Sequence, residues 1–252
     1  MLIFNCTKAA SEFFTVTRQG EKFSCIEPAP HKTISESVST PIFPDDVDPQ
    51  ENGGFQWQWI VHCVSIKRKK YLLVMDHHTR YCVIFPAGKK GDDIDFLNNF
   101  ETLLKANFRY LVDKEWVDKE WVDKEGFDVE EVNNGKMDQT EATRYIEQYD
   151  ALINTCIFHQ RGDRSVQSHI NDVVWHLQAL VERQGHITER LDCLMFSVTA
   201  SNILRRRNGE KDYFQPNKAF FAYWLKTFSP QSETEYTTNN VINLNQYRQL
   251  HE

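Results

Sequence analysis

The chain has 252 residues, 40% of them apolar and 13% aromatic, with a formal net charge of −7. Enough apolar mass is present to build a core, so a wholly disordered chain is excluded. The acidic balance argues against a general nucleic-acid coat or a binder of anionic membranes. Residues 2–6 read as a first strand, and Thr7 is placed to cap a helix running to about Thr15. From Glu27 to Gly54 the texture changes, with five of the eight prolines (28, 30, 41, 44 and 49); a long loop or insertion is expected.

Phe55 to Phe85 reads as three strands with two tight connections. Trp57, Trp59, Val61 and Cys63 share one face; Ile60, His62 and Val64 share the other. Both faces are apolar, as in a central strand covered on two sides. Lys67–Lys70 forms one turn and Asp76–Thr79 the other.

The spacing of Phe96, Phe100, Leu103, Leu104, Phe108 and Leu111 predicts a helix over 95–111. Then come V-D-K-E-W, V-D-K-E-W and V-D-K-E-G, residues 112–126. A five-residue step keeps no constant face on a helix or a strand, so this segment reads as a duplication that lengthens a charged helix end. The functional alternative is a Trp116/Trp121 clamp for a partner. A helix over 139–152 and a strand over 155–159 follow. Asp163 or Ser165 caps a long helix whose stripe is Val166, Ile170, Val173, Val174, Leu177, Leu180 and Val181, ended by Gly185. Further helices are expected from Thr188 to Arg206 and from Pro216 to Phe228, before a polar tail.

These elements predict an α+β fold, with a small antiparallel sheet packed against a mainly helical C-terminal half. One domain is expected over 1–228, carrying the 27–54 loop or insertion and the repeat-extended segment at 112–126, with a polar tail at 229–252.

Three blocks carry a family resemblance. They are the opening M-L-I-x-x-C-T-K, the stretch W-Q-W-I-V-H-C-V-S-I-K-R-K-K-Y-L-L-V-M-D-H-H-T-R-Y, and D-R-S-V-Q-S-H-I-N-D from Asp163 to Asp172. Together they resemble a family of uncharacterised bacterial proteins, a domain of unknown function. It has a tryptophan strand, a basic turn, and a D-R-S-V-x-x-x-x-N-D helix opening. The resemblance covers about 1–15, 55–112 and 155–225. It implies no activity, and it implies that the first and last blocks share one fold. The 27–54 segment, the V-D-K-E-W repeat and the polar tail depart from the family pattern.

Several residue sets invite a chemical reading. Asp76-His77-His78 after an apolar strand is similar to the D-H-H box of manganese phosphoesterases, where carboxylate and imidazole ligands hold metals that activate water. Its upstream carboxylates could come only from Asp45, Asp46 and Asp48, and a solvated hairpin turn is the plainer reading. His169, Asp172 and His176 share a helix flank, but i to i+7 spans about 10.5 Å of rise, too far for one ion. Trp175 lies opposite the apolar stripe. A second layer of structure is expected over it, and an exposed anchor is the alternative. Lys67-Arg68-Lys69-Lys70 and Arg205-Arg206-Arg207 are basic clusters able to hold phosphates.

Cysteines at 6, 25, 63, 82, 156 and 193 include no C-x-x-C pair. Scattered single thiols suit a reducing, cytoplasmic setting. No apolar run approaches the roughly 20 residues that cross a bilayer, so no membrane partner is expected. No phosphate-loop, dinucleotide or zincin motif occurs, and no cofactor is expected.

The leading expectation is therefore a non-catalytic binding or interaction module. Its surface would be built from Lys67, Arg68, Lys69 and Lys70 together with Asp163, Arg164, Ser165, Asn171 and Trp175. The expected partner is a protein or a second copy of the chain. A metal-dependent phosphoesterase or nuclease using Asp76, His77 and His78, and a nucleic-acid accessory protein using the basic clusters, are the alternatives.

Overall fold

The computed structural model describes residues 1–51, 54–114, 137–207 and 209–230. Along the chain, β1 (Leu2–Cys6), α1 (Lys8–Phe14), β2 (Val16–Arg18), β3 (Glu21–Phe23), β4 (Ile26–Pro28) and α2 (Ile34–Ser39) come first. The meander β5 (Trp57–Ile66), β6 (Lys69–Asp76) and β7 (Cys82–Pro86) follows. Then come α3 (Asp93–Asp113), α4 (Gln139–Leu152), β8 (Cys156–Gln160), α5 (Arg164–Gln184), α6 (Arg190–Ala200) and α7 (Pro216–Thr227). The V-D-K-E-W units with Trp116 and Trp121, and the tail beyond residue 230, lie outside the described residues.

The fold is α+β, but its main sheet is neither small nor antiparallel. Six strands run in the order β4-β8-β1-β5-β6-β7. β1 pairs parallel with both β5 and β8, and β4 pairs parallel with β8; only β5-β6-β7 is antiparallel. Parallel neighbours need a long crossover between them. Here α1, β2, β3, β4 and α2 fill the crossover from β1 to β5. The 27–54 segment is thus not all loop. It begins within β4 and holds α2, whose Thr33 and Glu36 form a reciprocal capping box.

Local chemistry explains the helix starts. Thr7, Asp92, Asp138 and Asp163 each accept a backbone N–H of the first turn, satisfying donors that a helix leaves open. α6 is shorter than the apolar pattern suggests. It ends at Ala200, and Arg205 then makes an isolated bridge with Phe214.

The core follows strand parity. Phe4 meets Phe96 and Phe100 edge-on at 5.1 and 5.2 Å and stacks on Phe158 at 5.0 Å. That face therefore receives α1, through Phe14, and α3. At its other end Trp57 touches Tyr149 of α4 and Phe220, Tyr223 and Trp224 of α7. Tyr71 has the opposite parity on β6 and meets His186 just beyond α5, so α5 covers the second face. Both apolar faces of β5 are buried, as the sequence implied.

α6 closes one edge of the sheet. Ser201 and Ser197 hydroxyls accept the outward N–H groups of Cys82 and Ile84 at 3.2 and 3.1 Å. Ser197 donates in turn to the Cys193 carbonyl. Both serines are buried. Ser197→Ala leaves the Ile84 N–H buried without an acceptor, so it is expected to cost about 1–3 kcal/mol. Urea unfolding of Ser197→Ala and of the double variant with Ser201→Ala measures this, and an unchanged midpoint in both would remove the edge-capping role.

Candidate functional site

The polar groups gather where β6 turns into β7. Asp76 is fully buried. Its carboxylate accepts from Trp57 Nε1 at 3.0 Å, from the Thr79 and His78 backbone N–H groups at 2.8 and 3.3 Å, and from the Thr79 hydroxyl. The loop closes through Asp76 N–H to the Tyr81 carbonyl at 2.8 Å and Arg80 N–H to the Asp76 carbonyl at 3.1 Å. Arg80 takes a left-handed φ of 60° to complete it. Its guanidinium is thereby drawn inward, where it donates to the His77 carbonyl and, at 3.3 Å, to Ser165 Oγ.

The opening of α5 meets this turn. His77 Nε2 stands 3.6 Å from Asp163 Oδ2. The His77 ring and then the Val166 N–H hold the Asp163 carboxyl down to about 2, against the opposing effect of partial burial. Further along α5, Asp172 receives the buried Arg205 at 2.7 Å. Arg207 donates to the His78 carbonyl at 2.8 Å. His169 lies among these cations. Burial first, then Arg205 and Arg80, press its pKa down to about 4. Among the described residues, His169 Nδ1, Arg80 Nε, and Nε and Nη2 of Arg205 have no hydrogen-bond partner.

Asp76, His77 and His78 do not converge as metal ligands. Asp76 is occupied by the donors of its own turn and by Trp57, His77 points to Asp163, and exposed His78 lies 5.5 Å from the Tyr223 ring. Among the described residues no three His, Cys, Asp or Glu side chains form a cluster able to hold a metal. His169, Asp172 and His176 also part company, Asp172 toward Arg205 and His176 toward the Trp175 ring.

The basic turn sits elsewhere. Lys67 and Arg68 have φ of 44° and 69°, the two left-handed residues of a tight hairpin turn between β5 and β6. That turn is at the opposite end of β6 from Arg205–Arg207, about 25 Å away for eight extended residues. Lys69 and Lys70 belong to β6 itself, and Lys70 Nζ lies 5.8 Å from the Phe13 ring centroid. Lys67–Lys70 and the Asp163 opening therefore do not form one surface. Asn171 is exposed and accepts from Gln167, Arg164 is exposed, and Trp175 is 64% exposed. No described element forms the layer expected over Trp175.

All six cysteines are free. Burial pushes the thiols of Cys25, Cys82 and Cys156 up to about 12 and that of Cys193 to about 11, and raises those of Cys6 and Cys63. At neutral pH these are thiols, not nucleophilic thiolates.

The chain matches the family model of a domain of unknown function, DUF6933, over residues 3–140 and 137–219. It belongs to that family. No curated protein and no solved structure matches it. Among the described residues, no helix is long and apolar enough to cross a membrane. Sequence reasoning found Asp163 and Ser165, took Arg205 only as part of a basic cluster and not as the buried partner of Asp172, and missed Arg80 and Arg161. The left-handed turn and the crossing loop that bury them leave no periodic trace. The Thr79-Arg80 exit from the turn was the one available signal.

Two outcomes follow for this cluster. Asp163→Ala removes both the helix cap and the His77 partner and is expected to cost about 1–2 kcal/mol; Asp163→Asn, which keeps an accepting oxygen, costs less. Denaturant titration at neutral pH gives both values, and equal losses would discount the cap. For His169 the folded pKa lies below the unfolded one. Its contribution is complete above about pH 6.5 and is lost as pH falls toward 4. The drop in thermal midpoint between neutral pH and the lower end of that window should be smaller in His169→Gln than in the wild type; an identical drop argues against the assignment.

Proposed function

We propose that this protein is a non-catalytic binding module that associates with a second copy of itself through the outer face of α5. The observation that carries this reading is the exposed Trp175 on that face. Arg164, Ser168, Asn171, Trp175, Gln178 and Glu182 follow alternating steps of four and three and are all exposed. Such spacing places them on one strip of the helix. Arg164 begins the strip and Glu182 ends it. A two-fold axis near residue 173 sets each Arg164 against the Glu182 of the other copy and brings the two Trp175 rings toward the middle. Isologous pairing is the commonest closed arrangement, and tryptophan is the residue type most enriched at interface centres.

The lack of catalysis is supported by how the reactive groups are used. Asp76, His77 and Arg80 each serve a neighbour in the turn or helix cap, and the thiols are protonated. The nucleic-acid alternative is weakened because its two basic clusters lie at opposite ends of β6. One domain over 1–228 remains our reading, supported by β8 lying between β4 and β1.

Sedimentation velocity over a concentration series tests the association. A reversible dimer is expected, weakened about tenfold or more by Trp175→Ala. Arg164→Glu should dissociate it, and adding Glu182→Arg should restore it. A wild type that stays monomeric to about 200 μM, which implies a Kd well above that value, overturns the reading.

A further inference from the structure

A hollow lies on the other half of the sheet. Ile26 to Lys32 and Gln160 to Gly162 line this open hollow of about 640 Å3 just beyond the carboxyl ends of the adjacent parallel strands β4 and β8. In open parallel α/β sheets ligands commonly bind outside the carboxyl ends of the strands, and the volume lies within the range of small-molecule sites. A smaller hollow of about 180 Å3 adjoins it, sharing Glu27, Pro28, Pro30 and Arg161.

Arg161 joins the two hollows. It is buried, and its hydrogen-bond partners among the described residues are all neutral. Its Nε donates to Asn5 Oδ1 at 2.7 Å, and its Nη1 donates to the carbonyls of His31 and Thr33 and to Ser37 Oγ. Nη2, with two hydrogens, has one contact, Gln58 Oε1 at 3.5 Å. Among the described residues no carboxylate lies within ion-pair distance of Arg161. Glu36, the acid that acts on it across space, is committed to the Thr33 N–H. A guanidinium stays protonated, and a buried charge without a counter-ion is costly. Among the described residues, His31 Nε2, in the wall of the larger hollow, has no hydrogen-bond partner.

We propose that this hollow binds a small organic anion, with Arg161 supplying the counter-charge and His31 an orienting hydrogen bond. Ile26, Pro28, Ala29 and Pro30 give the ligand's body an apolar wall. Lys32 adds a second cation and Glu27 an opposing acid. The balance of one net positive charge favours a ligand carrying one negative charge over a polyanion. A carboxylate and a phosphate monoester both fit that chemistry.

Amide NMR titration of the full chain with lactate, benzoate, inorganic phosphate and glycerol 3-phosphate tests it, with glycerol and benzamide as neutral controls. At least one anion should shift the amides of Ala29, Gln160 and Gly162 saturably, while the neutral controls do not. Response to the carboxylates alone or to the phosphates alone assigns the head group. Lys32→Ala should weaken binding about threefold and Arg161→Gln about tenfold or more. Lys32 and His31 lie outside the core, so Lys32→Ala and His31→Ala keep the test decisive if Arg161→Gln fails to fold. No saturable shift with any of the four anions up to about 20 mM, equal shifts with the neutral controls, or unchanged affinity in both Lys32→Ala and His31→Ala overturns the proposal.

Discussion

The Asp76 carboxylate is the constraint on which most of the molecule's chemistry depends. A buried carboxylate is tolerated only where donors surround it. Here the turn supplies three and Trp57 a fourth. Trp57 is also the hub on which α4 and α7 pack. One side chain thus fastens the hairpin loop, the β5 strand and the aromatic cluster together. With the loop fixed, Arg80 is held left-handed and inward, and His77 is aimed at Asp163. The start of α5 is therefore positioned from the sheet and not only by its own cap.

The two edges of the sheet are managed differently, and both are blocked. On the β7 side, serine hydroxyls of α6 occupy the free N–H groups. On the other side, β4 is only three residues long and ends at Pro28, which has no N–H to offer. Strand addition is therefore disfavoured at either edge. The association proposed through α5 uses a helix face instead, a strip that joins the exposed Trp175 to charges of both signs at its ends.

Much of this was legible in the sequence, and the failures have physical causes. Elements with a strong period read well. The stripe from Val166 to Val181, the alternation in Trp57–Val64, and the caps at Thr7 and Asp163 all lie where pattern and capping chemistry place them. The direction of β1 did not read, because five apolar residues look alike whether their neighbours are parallel or antiparallel. β4 was hidden because three residues beside prolines carry no period, although T-I-S-E at 33–36 did spell the capping box of α2. The site was half legible. Asp163 announces itself as a cap, whereas Arg80, Arg161 and Arg205 look like solvent-facing cations until a turn or a crossing loop buries them.

The placement of β8 has a consequence for synthesis. β1 pairs on one side with β5, but its other neighbour begins about 150 residues later, and β4 pairs with that same late strand. At translation rates of about 5–20 residues per second, the apolar strand Leu2–Cys6 waits on the order of ten seconds with an open edge before its second partner leaves the ribosome. During that interval the meander forms from local contacts, while β4 has nothing to pair with. Until Cys156–Gln160 is made, the edge of β1 that β8 later covers has no strand partner.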